Sequence, residues 1–388
     1  MKTKHKILFQ DARKLNQIDN NSIDLMITSP PYPMIEMWDE MFSEQNPEIR
    51  DCLNNNDGNL AFELMNQELD KVWDEVYRVL KFGGIACINI GDATRTINGE
   101  FKLYSTSSRI TNHCIKIGFS SLPKILWRKT TNAPNKFMGS GMMPPGAYVT
   151  LEHEYILILR KGAKREFKKV EERNIRQESS FFWEERNIWF SDMWDRLNGV
   201  LQKLKDERIR DRSAAYPFEL PYRLINMFSI KGDVVLDPFF GTGTTMLAAM
   251  ASARNSIGVE IDHNFKDTIM ERVNAIQNYS NKLIRERIKN HLEFVTKRED
   301  KKGPLKYKNE NYGLRVMSKP EIKILFNDLK NVERISENEF IVEYSEETQK
   351  DISVIKSTSV NHFYKNKMNS SIEQQARNFG KTKLSDFH

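Results

Sequence analysis

The nonapeptide Asp237-Pro-Phe-Phe-Gly-Thr-Gly-Thr-Thr245 follows an apolar run, Asp233-Val-Val-Leu236, and precedes a helical one, Met246-Leu-Ala-Ala-Met-Ala251. A strand, a glycine turn and a helix open a nucleotide-binding α/β unit. Gly241 and Gly243 let a ligand reach the backbone with no Cβ in the way, and the helix that begins near Thr244 offers free N–H groups. A dinucleotide fingerprint wants a third glycine where Met246 stands, and a phosphate-gripping P-loop wants a lysine where Thr244 stands. Asp237, at the strand tip, can face an ammonium. Glu260, which ends the next apolar run Ser256-Ile-Gly-Val259, can hold the two hydroxyls of a ribose. An ammonium and a ribose with no phosphate describe S-adenosylmethionine. The alternative is an ordinary glycine-rich strand-to-helix turn.

A second stretch carries different chemistry. The apolar run Ile23-Asp-Leu-Met-Ile27 passes directly into Thr28-Ser-Pro-Pro-Tyr-Pro33. Two consecutive prolines cannot continue a ladder and hold the backbone extended, so the carbonyls of Ser29 and Pro30 point off the strand end without a partner N–H. Rigid acceptors followed by an aromatic ring suit a flat heterocycle that carries an amino group. A strand that simply ends at prolines is the plainer alternative.

Ser29-Pro-Pro-Tyr32 resembles the catalytic tetrapeptide of the amino-group DNA methyltransferases, in which Asp, Asn or Ser precedes Pro-Pro and an aromatic. Asp237 to Gly243 is similar to their cofactor motif, with Phe239, Gly241 and Gly243 in place. The catalytic motif comes first in the chain, the circularly permuted order of the beta group. This resemblance spans about residues 6 to 275. It implies a permuted Rossmann-like α/β fold with a mostly parallel sheet and helices on both faces. Residues 1–160 would be the catalytic half, 161–212 the target-recognition region and 213–280 the cofactor-binding half, with 281–388 an extension of unknown role. By the same resemblance Asp11 contacts the cofactor's adenine, and Ala215-Tyr-Pro-Phe-Glu-Leu-Pro221, with Pro217, lies over its methionine part. Ser213 stands where the family usually has a histidine.

The implied reaction moves a methyl group from S-adenosylmethionine to an exocyclic amine of a base rotated out of duplex DNA. Ser29, Pro30, Pro31 and Tyr32 would hold that base: Ser29 and the Pro30 carbonyl accept the amine hydrogens and Tyr32 stacks. No strong general base is evident, so the proton leaves after transfer. A cysteine route to carbon-5 is disfavoured, because none of Cys52, Cys87 and Cys114 follows a proline. Serine at the first motif position goes mostly with cytosine N4 and aspartate mostly with adenine N6. Ser29 favours cytosine, with adenine as the alternative. An RNA or protein amino methyltransferase and a catalytically idle DNA-binding protein are the further alternatives, and a cognate restriction endonuclease is the implied functional partner.

The elements that must position these motifs are partly visible. Lys6 to Gln10 reads as a strand and Ala12 to Ile18 as a helix, and Leu64 to Leu80 is an amphipathic helix that stops at Lys81-Phe-Gly-Gly84 before a strand over 85–90. Ile125 to Lys129 and His153 to Leu159 read as later strands. Between Arg160 and Arg212, Lys164, Arg165, Lys168, Lys169, Arg173 and Arg176 precede Phe181-Phe-Trp183 and Trp189-Phe190. Cations interleaved with aromatics suit a phosphate backbone and exposed bases, or else a solvated face followed by core aromatics. A long polar helix runs from His263 toward Val295, a linker over 297–308 follows, and Gly313 to Tyr344 suggests a small α/β appendage.

Composition sets the outer bounds. The 388 residues are enough for a large core, and a net charge of +6 permits a polyanionic partner. The three cysteines show neither disulfide nor zinc spacing, and no metal site is expected. The N-terminus lacks the apolar core of a signal peptide and no run approaches a membrane span, so a cytoplasmic setting is expected, and the family resemblance implies a prokaryotic cell. Neither the recognition sequence nor the oligomeric state is legible.

Overall fold

The computed structural model describes residues 1–129, 143–146, 148–195, 197 and 216–345. Five strands make the parallel centre of one sheet. In chain order they are β1 (Lys2–Phe9), β2 (Ile23–Thr28), β3 (Leu80–Ile90) and, later in sequence, Val234–Asp237 and Asn255–Glu260. Between these stretches the chain adds a separate hairpin, β4 (Ala93–Ile97) with β5 (Glu100–Tyr104), and then β6 (Phe119–Arg128), β7 (His153–Lys161) and β8 (Met193–Asp195). The two later central strands are thus β9 and β10, and four more follow: β11 (Tyr307–Lys308), β12 (Arg315–Val316), β13 (Leu329–Ser336) and β14 (Glu339–Tyr344).

The ten-stranded order is β13-β14-β1-β10-β9-β2-β3-β7-β6-β8. β7 runs antiparallel to both β3 and β6, and β14 antiparallel to β1 and β13, so the sheet is mixed, with β7 and β14 reversed among strands that otherwise run one way. The central strands read as continuous apolar runs because both faces are covered; every residue of β2 is buried. Helices α1 (Asp39–Gln45), α2 (Glu48–Asn54), α3 (Gly58–Val79) and α4 (Thr106–Lys116) pack on one face. Helices α5 (Val170–Glu178) and α6 (Trp183–Trp189) lead to α7 (Glu219–Phe228), α8 (Thr244–Ala251) and the 37-residue α9 (Lys266–Lys302), which cover the other. Among the described residues no helix is long and apolar enough to cross a membrane.

Local chemistry explains where these elements depart from expectation. Helix α3 starts six residues before Leu64 because the Asp57 side chain accepts the Leu60 N–H at 3.0 Å and caps it. Residues 12–18 form turns instead of a helix: Arg13 folds back on Asp11, and the Leu15 N–H donates to Glu75 of α3 at 2.7 Å rather than to its own segment. Helix α9 continues through the first half of the expected linker. The C-terminal segment is no appendage, since β14 pairs residue for residue with β1 and extends the main sheet; in that segment only β11 and β12 stand apart, as a small ladder. His291 of α9, buried and stacked on Phe182 at 3.8 Å, meets Glu184 of α6 and the Arg315 carbonyl, each at 2.8 Å. These contacts fasten α6 and the β12 segment to one helix.

Candidate active site

The crossover from β2 to β3 runs one way along the sheet and that from β9 to β10 the other, and β2 and β9 are neighbours. This is the switch point of a doubly wound sheet, where a crevice opens at the carboxyl edge. Both motifs end at that edge. Thr28 Oγ1, on the last residue of β2, donates to Asp237 Oδ1 of β9 at 2.6 Å, which joins the two strand tips directly. A cavity of about 630 Å³ lies beside them, large enough for a nucleoside-sized ligand. Ser29, Pro30 and Pro31 line it from one side and Phe239, Gly241, Thr244 and Glu260 from the other.

The glycine turn has the geometry such a ligand needs. Gly241 (φ +50°) and Gly243 (φ +79°) take left-handed conformations, and Gly243 is the N-cap of α8. Glu260 Oε2 accepts the Gly241 N–H at 2.6 Å and Oε1 the Asp262 N–H at 2.9 Å; burial pushes its carboxyl above the usual range. Asp11 lines the cavity opposite. Burial alone would raise its pKa, but hydrogen bonds from Arg13 outweigh that and hold it low. The cavity is strongly acidic: among the described residues its lining sets Asp11, Glu40, Glu44, Glu68, Glu260 and Asp262 against the single cation Arg13. A polyphosphate is repelled by such a lining. S-adenosylmethionine, with a sulfonium, an ammonium and one carboxylate, carries net positive charge and fits it.

Two expected contacts are placed differently. Asp237 is 2% exposed and does not line the cavity. Besides Thr28, its oxygens accept from Thr245 Oγ1 (2.5 Å), Tyr216 OH (3.0 Å) and the Phe239 N–H (3.1 Å), so its acceptor sites are filled inside the protein and the carboxylate faces no ammonium. Burial pushes it up to about 6 despite those donors. Pro217 is buried off the cavity, and its neighbour Tyr216 lines it instead. Ser213 lies outside the described residues. Arg272 of α9, absent from either motif, donates through one guanidinium nitrogen to the Thr242 carbonyl (2.7 Å), Thr242 Oγ1 (2.5 Å) and Thr244 Oγ1 (3.1 Å), and pins the turn from behind.

On the other side of the β2 tip, Tyr32 leaves the cavity lining, but its hydroxyl stays 3.2 Å from Ser29 Oγ. Burial pushes that phenol well above its usual range. Asn89 of β3 donates toward both hydroxyls, and Glu154 of β7 binds Asn89 and the Tyr32 hydroxyl; sequence reasoning named neither.

The basic segment leaves the sheet at the edge opposite Ser29. Because β7 is antiparallel to β3, its first residues reach the edge that carries Ser29 and Lys161 lies at the opposite one. Arg165 there binds Asp233 at 2.7 Å and approaches Asp24 at 3.5 Å, the residues that open β9 and β2. That is about 16 Å, five residues of strand, from Ser29. Arg173 donates to the Lys168 carbonyl, Lys168 pairs with Glu166, and Arg176 stacks on Phe167; Lys164 and Lys169 are exposed on the same edge. The aromatics divide likewise: Phe182, Trp189 and Trp194 are core, while Trp183 and Phe190 are exposed.

The family model for N6/N4 methyltransferases, described as DNA methylase, matches residues 23–271. The type II methyltransferase M.MthZI of Methanothermobacter thermautotrophicus is 52% identical over 89% of this chain and 96% of its own length. M.MjaI of Methanocaldococcus jannaschii is 51% identical over 71% of this chain and 93% of its own. Among solved structures, TTHA0409 of Thermus thermophilus, assigned as a DNA modification methylase and complexed with S-adenosyl-L-methionine, aligns over 70% of this chain and 94% of its own at 30% identity and a TM-score of 0.55. The cytosine-N4-specific PvuII DNA methyltransferase shares the fold at 17% identity and a TM-score of 0.50, over 72% of this chain and 93% of its own. With both motifs at one edge of a doubly wound sheet, an acid-lined cavity between them and a family model spanning most of the described chain, this protein belongs to the N6/N4 DNA methylases, enzymes that take their methyl group from S-adenosylmethionine.

Proposed function

We propose that this enzyme methylates the exocyclic N4 of a cytosine rotated out of duplex DNA, as the protective half of a type II restriction-modification system in a prokaryotic cytoplasm. The observation that carries the proposal is the Thr28–Asp237 contact, which holds the Ser29-Pro30 acceptors and the acid-lined cavity at one strand edge. Ser29 at the first motif position favours cytosine over adenine. The relatives named type II methyltransferases support the restriction-modification setting.

Glu260 and Asp11 would hold the cofactor's ribose and adenine ends, and Gly241, Gly243 and Thr244 would meet its methionine part. When bound, S-adenosylmethionine supplies an electrophilic methyl on a sulfonium. The chain's own task is to present the amine. Ser29 Oγ and the Pro30 carbonyl accept its two hydrogens, which favours a pyramidal nitrogen with an available lone pair. Positioning alone can lower the barrier by roughly 7–11 kcal/mol at its upper limit. Tyr32 stacks on the extruded base and replaces stacking lost from the duplex.

Incubation of the enzyme with duplex DNA and tritiated S-adenosylmethionine, followed by nucleoside digestion, is expected to yield labelled N4-methylcytosine. Label in N6-methyladenine overturns the choice of base and leaves the mechanism standing. Label in RNA or protein but not in DNA overturns the substrate.

A further inference from the structure

Asn89, near the end of β3, is 3% exposed, and its Nδ2 lies 2.6 Å from Glu154 Oε2, 3.0 Å from the Tyr32 hydroxyl and 3.4 Å from Ser29 Oγ. Its Oδ1 is enclosed and has no hydrogen-bond partner among the described residues. A buried acceptor left unpaired is a cost that an amide flip normally relieves. Here the flip would set the carbonyl oxygen against the Glu154 carboxylate, so Glu154 fixes which way Asn89 points. Glu154 is itself fixed. Its other oxygen pairs with Lys129, and the register of β7 on β3 sets it opposite Gly91. A Cβ on Gly91 would stand 3.1 Å from Tyr32 Cε2 and 3.4 Å from Glu154 Cγ, so the glycine is what lets ring and carboxylate close on one another.

We propose that Asn89 and Glu154 are a positioning pair for methyl transfer, a reading that rests on the β2 tip being where the target amine is received. Glu154 takes one Asn89 N–H and so turns the other toward the oxygens of Tyr32 and Ser29. With the Tyr32 O–H donating to Glu154 and its oxygen accepting from Asn89 and lying 3.2 Å from Ser29 Oγ, the Ser29 proton is drawn toward Tyr32. Ser29 is thereby an acceptor toward the amine. The opposite arrangement, a Ser29 O–H donating to the amine nitrogen, would occupy the lone pair that must attack the methyl. Glu154 acts through Asn89 and the Tyr32 hydroxyl, both of which it holds, and touches no reacting atom.

The test compares single-turnover methyl transfer to duplex DNA with separately measured affinities for S-adenosylmethionine and for DNA, and with thermal unfolding. Asn89→Ala and Glu154→Ala are each expected to slow transfer about 30- to 100-fold, the scale of a small misplacement of reacting groups, with both affinities changed less than about threefold. Glu154→Gln, which keeps an oxygen acceptor for Asn89, is expected to recover most of that loss, and the double alanine variant to be no slower than the slower single one. If Glu154→Ala does not fold, Asn89→Ser, which keeps one hydroxyl donor, is expected to fall between Asn89→Ala and wild type. Additive losses, a Glu154→Gln variant as slow as Glu154→Ala, or losses that follow affinity or melting temperature overturn the pair. Wild-type rates in Asn89→Ala and Glu154→Ala overturn the pair alone, whereas a wild type that transfers nothing to DNA overturns the functional reading and the pair with it.

Discussion

Asp237→Asn is the sharpest probe of how the two motifs are joined. The carboxyl is buried beneath four donors, and burial raises its pKa from the ordinary 3.8 to about 6. A carboxyl whose folded pKa lies above its unfolded one binds its proton more tightly in the native state. Below about pH 4 it costs nothing, and the native state loses stability as pH rises through 4 to 6. The full loss is about 3 kcal/mol, at about 1.4 kcal/mol per pKa unit, and about half of it falls between pH 5 and 7.5. Asparagine mimics the protonated acid at every pH: its oxygen still accepts from Thr28 and Phe239, and the Tyr216 and Thr245 hydroxyls can turn to accept from its amide. Urea unfolding of both proteins at pH 5 and 7.5 should therefore show Asp237→Asn gaining roughly 1.4 kcal/mol on wild type between the two pH values. An unchanged difference, or a relative gain by wild type at the higher pH, would mean that the four donors outweigh burial and would refute the reasoning.

Two further outcomes follow from the fold. Gly258→Ala drives a Cβ into the Phe240 ring behind the glycine turn, and the overpacking is expected to cost about 1–3 kcal/mol by urea unfolding, with Phe240→Leu in the same chain restoring more than half; no recovery in the double variant would locate the strain elsewhere. Replacing Lys168 and Lys169 together by Glu should leave duplex-DNA affinity within about threefold and leave the salt dependence of binding unchanged. A fall of about 1.8 in the log–log salt slope, the signature of two lost phosphate contacts, would show that DNA reaches this edge.

The two motifs are legible in the sequence because their chemistry is local. Proline pairs end strands and glycines open turns whatever lies around them, so Ser29 to Tyr32 and Asp237 to Gly243 declare themselves. What surrounds them depends on register and strand direction. Asn89 and Glu154 lie 65 residues apart and meet only because β7 pairs antiparallel with β3. The same reversal sends Lys164 to Arg176 to the far edge, which no charge pattern reveals. Asp237 sits at the strand tip as expected, yet its role turns on Thr28, Tyr216 and Thr245, three hydroxyls drawn from three parts of the chain. The β13–β14 hairpin reads as an appendage because nothing near it in sequence shows that β1 offers it a free edge.

The contact between Thr28 and Asp237 spans 209 residues, and this has a bearing on how the molecule is born. At 5–20 residues per second a ribosome needs roughly 10 to 40 s to deliver the second partner after the first. Through that interval β2 can pair with β3 alone, and its other edge stays open as a template for any passing strand. The turn from Ser29 to Tyr32 is therefore laid down early and guarded poorly. Chaperone demand during synthesis should fall once Val234 to Glu260 emerge and the half-finished sheet closes on itself.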